Sequence, residues 1–242
     1  MVAAGLWALA AASTLFLGSL LALAVRVPRR IVGTVLGFGA GALLSAVAYD
    51  LTEEALSSGG GPLVAVGLAV GALTYFAGNR LVRRIGGAMR PARGTTTANT
   101  NGPAIVLGAL LDGVPESIVL GATLLGGGSV SVAFFAAVAV SNLPEAFSGT
   151  VDLREGGFRP RSIIGLWVAV VVSSSVAAAV GYAVLGGMSG PIVAVVQAFA
   201  AGAILTMLAD TMIPEAYETG GDVVGLLTVI GFAAAAFLAY FS

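Results

Sequence analysis

Residues 103–125 read PAIVLGALLDGVPESIVLGATLL, an apolar run that is interrupted only by two acidic side chains, Asp112 and Glu116. A helix of about 20 such residues matches the thickness of the hydrocarbon core of a bilayer. A charged side chain at mid-membrane costs about 2.5 to 3.5 kcal/mol on insertion scales. The two acids must therefore face a polar cavity, another protein group or a bound cation.

Apolar runs of similar length fill most of the 242 residues, which are 58% hydrophobic and only 10% charged. Soluble domains carry about 25% charged residues, so a compact soluble body of this composition would expose large apolar patches. The sequence predicts an all-α integral membrane protein with one transmembrane domain over residues 1–242. Eight spans are predicted: Ala3–Val25, Ile31–Leu51, Pro62–Val82, Pro103–Leu125, Val130–Val151, Ser162–Leu185, Pro191–Ile213 and Val223–Phe241.

All eleven basic residues are arginines, and they lie in or beside every second connection. Cytoplasmic connections are the ones enriched in basic residues, so this pattern predicts that both termini lie outside. The longest connection, residues 83–102, is rich in Gly, Thr and Asn and is predicted to be a flexible cytoplasmic loop. The arginines of the three connections are Arg26, Arg29 and Arg30; Arg80, Arg83, Arg84, Arg90 and Arg93; and Arg154, Arg159 and Arg161.

The chain contains no histidine and no cysteine, which excludes thiolate and imidazole chemistry. Any metal site must be built from oxygen ligands. Catalytic arrangements that need histidine or cysteine are also excluded, and we expect no enzymatic activity. We expect no nucleic-acid partner either, because the membrane topology accounts for the arginines.

A second acid-bearing motif lies in the fifth span. This motif contains Ser141, Asn142 and Glu145, and it resembles the pair Asp112 and Glu116 in the fourth span. In each motif an oxygen-bearing side chain lies four residues before a glutamate, on the same helix face. A proline precedes each glutamate and lacks an N–H, so the carbonyl four residues before that proline is left without its helical partner. Such carbonyls are potential cation ligands, and transporters place their sites at interruptions of this kind.

An internal repeat relates the second and seventh spans. Phe38, Gly41 and Glu54 match Phe199, Gly202 and Glu215 at a constant offset of 161 residues. On the predicted topology the two copies run in opposite directions. The sequence thus predicts an inverted repeat, with spans 1–3 and 6–8 around spans 4 and 5, which is typical of alternating-access transporters.

The motifs DGVPES (residues 112–117) and SNLPEA (residues 141–146) resemble the fourth- and fifth-span signatures of the ZIP (Zrt/Irt-like) family of divalent metal transporters. The resemblance implies that the fold has eight helices and that metal ions cross through a site in the middle of the membrane. Both signature histidines are replaced, by Asp112 and Ser141, and the acidic family position in the seventh span is Thr211. The resemblance assigns Asp112, Glu116, Ser141, Asn142 and Glu145 as metal ligands, and we add Asp210 as a nearby acid.

The expected function is transport of divalent metal cations toward the cytoplasm through a midplane carboxylate site. Oxygen ligands favour manganese or iron(II), whereas zinc is the commonest substrate of the family that the chain resembles. The metal is the transported substrate, and no cofactor is expected. Two alternatives stay open: a proton-coupled carrier of another cation or small solute, and a non-transporting metal sensor or scaffold.

The expected location is the inner or plasma membrane, as a multi-pass protein whose partners are the lipid bilayer and divalent metal ions. Small-residue spacings such as Gly37 to Gly41 and Gly67 to Gly71 allow helices to pack closely. They leave a homodimer open as a further partner.

Overall fold

The computed structural model describes residues 1–88, 102–125 and 130–241, with the backbone alone for 85–88 and 102–104. Within these ranges the chain is helical, with no β-strand. Eight apolar helices follow one another: α1 (Val2–Ala24), α2 (Arg29–Gly59), α3 (Gly61–Ala88), α4 (Gly102–Ala122), α5 (Val132–Glu155), α6 (Pro160–Leu185), α7 (Gly190–Gly220) and α8 (Val224–Tyr240).

The helices confirm the prediction of a helical, multi-pass membrane protein. Seven of those in the described ranges are long and apolar enough to cross a bilayer, and α8 is an apolar helix of 17 residues. Large apolar side chains on the outer faces of α3 and α8 are exposed, as lipid-facing residues are; examples are Leu73, Leu226 and Val229. Most of the predicted loop 83–102 and the connection 126–129 lie outside the described residues.

Helices α2 and α7 continue past the ends of their predicted apolar spans. Instead of ending near Leu51 and Ile213, they extend to Gly59 and Gly220. The added turns contain glutamate and alanine, which are good helix formers and are tolerated at a polar membrane edge. Both helices end beside a glycine with positive φ, Gly60 after α2 and Gly221 after α7. This conformation suits glycine and stops each helix.

Each of these two helices also contains a π-helical segment, at Val47–Thr52 in α2 and at Leu208–Met212 in α7. The two segments occupy the same place in the sequence repeat, since Val47 and Leu208 are 161 residues apart. Each segment also holds an acid, Asp50 in α2 and the predicted ligand Asp210 in α7. Single-turn π segments within α-helices are frequent at functional sites.

The prolines of α4 and α5 do not end their helices. Pro115 and Pro144 both lie inside continuous helix. Proline removes one backbone donor without stopping the turn when its surroundings hold the helix on both sides. The expected interruption at these prolines is therefore only the loss of one hydrogen bond each. The irregular helical geometry of this chain lies in α2 and α7 instead.

Two pairs of helices pack with their backbones almost in contact, at glycines that include Gly41 and Gly202, which lie 161 residues apart. In the first pair, a Cβ on Gly41 of α2 would strike the carbonyl of Thr228 in α8, and a Cβ on Gly231 would strike the carbonyl of Phe38. In the second pair, Gly202 of α7 faces the carbonyl of Leu68 in α3 in the same way. Only glycine allows these approaches.

Helices α2 and α7 lie along each other in opposite directions. Gly33, near the start of α2, contacts Thr219 and Gly220 at the end of α7. Gly59, at the end of α2, contacts Ala194 near the start of α7. The two long, π-containing helices thus form an antiparallel pair, and their contacts at the two ends are equivalent in the repeat.

Candidate functional site

Asp112 lies where α4 meets α3. The buried Tyr75 of α3 donates a hydrogen bond from its hydroxyl to Oδ1 of Asp112, with an O···O distance of 2.6 Å. The side chain of Thr211, in the π segment of α7, lies within interaction range of the same hydroxyl. Three helices therefore meet at the Asp112 carboxylate.

Glu116 is one turn further along α4 and is 3% exposed. It lines a small cavity between α1, α4, α5 and α6, together with Asn142 and Ser174. The remaining walls of the cavity are formed mainly by alanine, leucine and valine side chains of α1, α4 and α5. The oxygen-bearing side chains of two predicted site residues, Glu116 and Asn142, thus face one space inside the helix bundle.

Glu145 of α5 is partly buried and experiences the negative charges of Asp112, Glu116 and Glu215. Glu215 comes from α7 and accepts a hydrogen bond of 2.6 Å from Ser148, which lies on α5 three residues beyond Glu145. The structure therefore brings the three predicted midplane acids into electrostatic range of one another and places Glu215 near them. Sequence reasoning did not include Glu215 or Ser148 in the site.

Ser141 and Asn142 are both buried in α5. The Ser141 hydroxyl donates to the carbonyl of Val138 in the same helix, at 3.0 Å. Gly39 of α2 packs against the Ser141 backbone, and a Cβ on that glycine would clash with it. The Ser141 oxygen is thus held at the α2–α5 interface, with a lone pair still available to accept.

Asp210 has a different neighbour from the other predicted ligands. Its carboxylate lies 4.0 Å from the guanidinium of Arg83 on α3. The same two residues line a cavity with Phe76, Arg80 and Arg84. The structure places Asp210 among arginines at one end of α3, and its carboxylate forms no hydrogen bond with another predicted ligand in the described residues.

A ready-made metal cluster is not present in the described residues: no three acidic side chains there are close enough to hold one ion together. The carboxyl groups of Glu116 and Glu145 also form no hydrogen bond or ion pair with any described residue. Each ion pair found in these ranges involves Arg29 or Arg83, not the midplane acids. The predicted midplane acids therefore have no ion-pair partner among the described residues.

Polar contacts also tie the helices together at both ends of the bundle. Asp50, in the π segment of α2, accepts a hydrogen bond of 2.9 Å from Ser131, the residue that caps α5. At the opposite end of α2, Arg29 pairs with Glu155 at 3.0 Å and with Asp152 at 3.5 Å, both on α5. These contacts connect α2 to the two ends of the helix that contains Glu145.

Comparisons with known proteins do not name a family for this chain. No protein-family model matches it, and no curated protein matches it with significance.

Proposed function

We propose that this chain is a transporter of divalent metal cations, related to the ZIP family, that moves its substrate toward the cytoplasm. The observation that carries the proposal is the convergence of Asp112, Glu116 and Glu145 inside the helix bundle, with no arginine near them in the described residues. Uncompensated acids at membrane depth are costly and are retained where they bind or move ions.

The electrostatics of the site favour a cation of high charge. Glu145 alone interacts with three other acidic groups, so a divalent ion relieves more repulsion than a monovalent one. The buried oxygens of Ser141 and Asn142 lie on the same helix and can complete a coordination shell. Since the acids are not yet grouped tightly enough to hold one ion, we infer that cation binding draws α4 and α5 together.

Alternating access is the proposed mechanism, based on an inverted repeat. The π segments of α2 and α7 and the glycine contacts at both ends of this antiparallel pair support that repeat. We propose that spans 1–3 and 6–8 are its two copies, with both termini outside. An inside-negative potential then drives influx, by about 4.6 kcal/mol for a divalent ion per 100 mV.

The oxygen atoms available as ligands limit which metal ions the site can prefer. Carboxylate, hydroxyl and amide oxygens suit manganese, magnesium and calcium, whereas zinc and iron(II) accept carboxylates as well as imidazole. With no histidine in the chain, we propose manganese or iron(II) as the preferred substrate, with zinc as the competitor. No resident cofactor is part of the proposal, and the proposed location is the inner or plasma membrane.

Initial uptake by proteoliposomes tests the proposal. Manganese, iron(II), zinc and cadmium are offered to the parent protein, to Glu145→Gln and to Glu218→Gln, a matched change at an exposed glutamate on α7. We expect saturable uptake of at least one ion, a loss of tenfold or more in Glu145→Gln, and no change in Glu218→Gln. Binding without uptake would favour the sensor, and equal uptake by all three proteins would contradict the proposed site.

A second candidate, a proton-coupled carrier of another cation, is favoured by the surroundings of Glu116. This buried acid lines a cavity with hydroxyl and amide groups and forms no ion pair with a described residue. Buried acids inside membrane proteins often belong to proton relays. Proteoliposomes loaded with a pH-sensitive dye and given a sodium or potassium gradient test it. Proton flux driven by either gradient without divalent ions, and lost in Glu116→Gln, would favour this second function over the first.

A further inference from the structure

Three arginines of α3 line one cavity near the end of that helix. Arg80 precedes Arg83 and Arg84 by three and four residues, which places the three side chains on one side of the helix. Together with Phe76 and with Asp210 of α7 they line a cavity of about 440 Å³, the α3 cavity. A space of this size can hold a small ligand.

The α3 cavity carries more positive than negative charge. Asp210 is the acid in its wall, and its carboxylate is 4.0 Å from the guanidinium of Arg83, at the outer limit of an ion pair. Arg80 and Arg84 form no ion pair or hydrogen bond with a described residue. All 12 acidic side chains of the chain belong to described residues, so the rest of the chain supplies no further carboxylate side chain. The cavity thus keeps a positive charge that the acidic side chains of this protein do not balance.

A second arginine-lined cavity, of about 470 Å³, differs in this respect. It is lined by Arg26, Arg29 and Arg154. There Arg29 pairs with Glu155 at 3.0 Å, and Arg154 donates to the carbonyl of Ala22 at 3.1 Å. Two of its three arginines therefore have acceptors within the protein, whereas two of the three in the α3 cavity have none among the described residues and are available to an anion from outside the chain.

The side of α3 that leads to this cavity changes from apolar to basic. Leu73, Phe76, Arg80 and Arg84 follow one another at spacings of three or four residues. Leu73 is 67% exposed and Phe76 is 49% exposed, as lipid-facing side chains are. An apolar surface that ends in basic groups matches the order of acyl chain and phosphate in a phospholipid. A free phosphate ion would leave that apolar surface uncovered.

We propose that the α3 cavity binds the phosphate group of an anionic phospholipid, whose acyl chains lie along Leu73 and Phe76. Arg80 and Arg84 are the proposed phosphate ligands, because guanidinium groups can bind two phosphate oxygens at once. Basic pockets at the cytoplasmic ends of membrane helices recognise anionic headgroups in this way. The positive-inside rule accounts for arginines in this connection, but it does not require three of them on one cavity. Lipid binding at this site does not depend on the proposed transport function.

Native mass spectrometry of the purified protein with added phosphatidylglycerol tests the site. The site variant is Arg80→Gln/Arg84→Gln, and the control is Arg159→Gln/Arg161→Gln, which removes the same charge from two exposed arginines at the start of α6. We expect the Kd of the first bound phosphatidylglycerol to rise about five- to thirtyfold in the site variant and to stay unchanged in the control, with similar thermal melts for all three proteins. An equal Kd in the three proteins, or an equal rise in both variants, would overturn the proposal.

Two further ligands distinguish an anionic lipid from other occupants of the cavity. Phosphatidylcholine has similar acyl chains but no net headgroup charge, and we expect it to bind at least about fivefold more weakly than phosphatidylglycerol. Inorganic phosphate at millimolar concentration is expected to leave the bound lipid in place. Equal affinity for the two lipids would overturn the role of the arginines, and displacement of the lipid by inorganic phosphate would overturn the lipid in favour of a free anion.

Discussion

At the scale of the residue, the acids of this protein differ in whether they have a partner. Asp112, Glu215 and Asp210 are joined to Tyr75, Ser148 and Arg83. Glu116 and Glu145, in contrast, have no hydrogen-bond or ion-pair partner among the described residues. Burying an unpaired acid inside a membrane is unfavourable in free energy. A bound cation would therefore stabilise Glu116 and Glu145 more than the acids that already have a partner.

A structural hydrogen bond away from the acids provides a residue-scale prediction. The indole N–H of the buried Trp167 donates to Thr150 Oγ1 at 2.8 Å, and Thr150 is fully buried. Thr150→Val keeps the shape but leaves the N–H unsatisfied, which we expect to cost about 1 to 3 kcal/mol. A thermal melt in detergent should show a lower Tm with ion uptake retained. An unchanged Tm would mean that this bond does not stabilise the fold.

The sequence identifies the acids inside the apolar spans, but it does not identify the side chains that contact them. Asp112, Glu116 and Glu145 could be predicted because each interrupts an apolar run. Tyr75 carries no such signal, since tyrosine is an ordinary residue of membrane helices. Asp210 was added because of its position in sequence, and its approach to Arg83 depends on α3 and α7 being neighbours. A single sequence does not reveal that neighbourhood.

At the scale of the element, glycines decide which helices can approach each other. The two glycine spacings recognised in the sequence serve contacts within the chain: Gly37 and Gly41 face α8, and Gly67 and Gly71 face α7. The small residues thus allow tight packing of the α2–α8 and α3–α7 pairs. A homodimer would have to use other surfaces of these helices.

Gly41→Ala and Gly225→Ala form a matched test of this packing. A Cβ on Gly41 would strike the carbonyl of Thr228, whereas a Cβ on Gly225 of α8 has no atom within 4 Å. We expect Gly41→Ala to destabilise the protein by about 1 to 3 kcal/mol, since a packed interface must be forced apart. Gly225→Ala should leave the Tm within experimental error. Equal melting temperatures for the two variants would contradict the close approach of α2 and α8.

Apart from the C-terminal ends of α2, α3 and α7, the helices are predictable from the sequence to within a few residues, because a long apolar run in a membrane has few alternatives to a helix. The exact course of the helices is not predictable from the sequence. The composition carries no sign of the π segments of α2 and α7. The extensions to Gly59 and Gly220 were missed because the hydropathy signal ends before the helix does.

At the scale of the whole molecule, the position of the arginines and the antiparallel pairing of α2 with α7 together define the proposed transport path. On the predicted topology, the arginines mark the cytoplasmic end of the bundle, and Arg29 and Arg83 form their ion pairs there. Along α5, Glu145 lies between the contact of Asp50 with Ser131 at one end and the contact of Arg29 with Glu155 at the other. Access is proposed to alternate between the two ends as the copies of the repeat move against each other.

The absence of cysteine from the chain makes this topology directly testable. Single cysteines are placed at Ser58, at the end of α2, and at Ser162, beside the arginines at the start of α6; both positions are exposed. In intact cells a membrane-impermeant maleimide should label Ser58→Cys and leave Ser162→Cys unlabelled until the membrane is opened. The reverse result would invert the proposed orientation and the direction of transport.

The position of a bound ion tests the central claim most directly. Crystals of the protein soaked with cadmium or manganese would reveal that ion by its anomalous scattering. We expect a peak between α4 and α5, within coordination distance of Glu145 and of Asp112 or Glu116, and no such peak in Glu145→Gln crystals. Peaks confined to exposed acids such as Asp152 and Glu155, with none between α4 and α5, would contradict it.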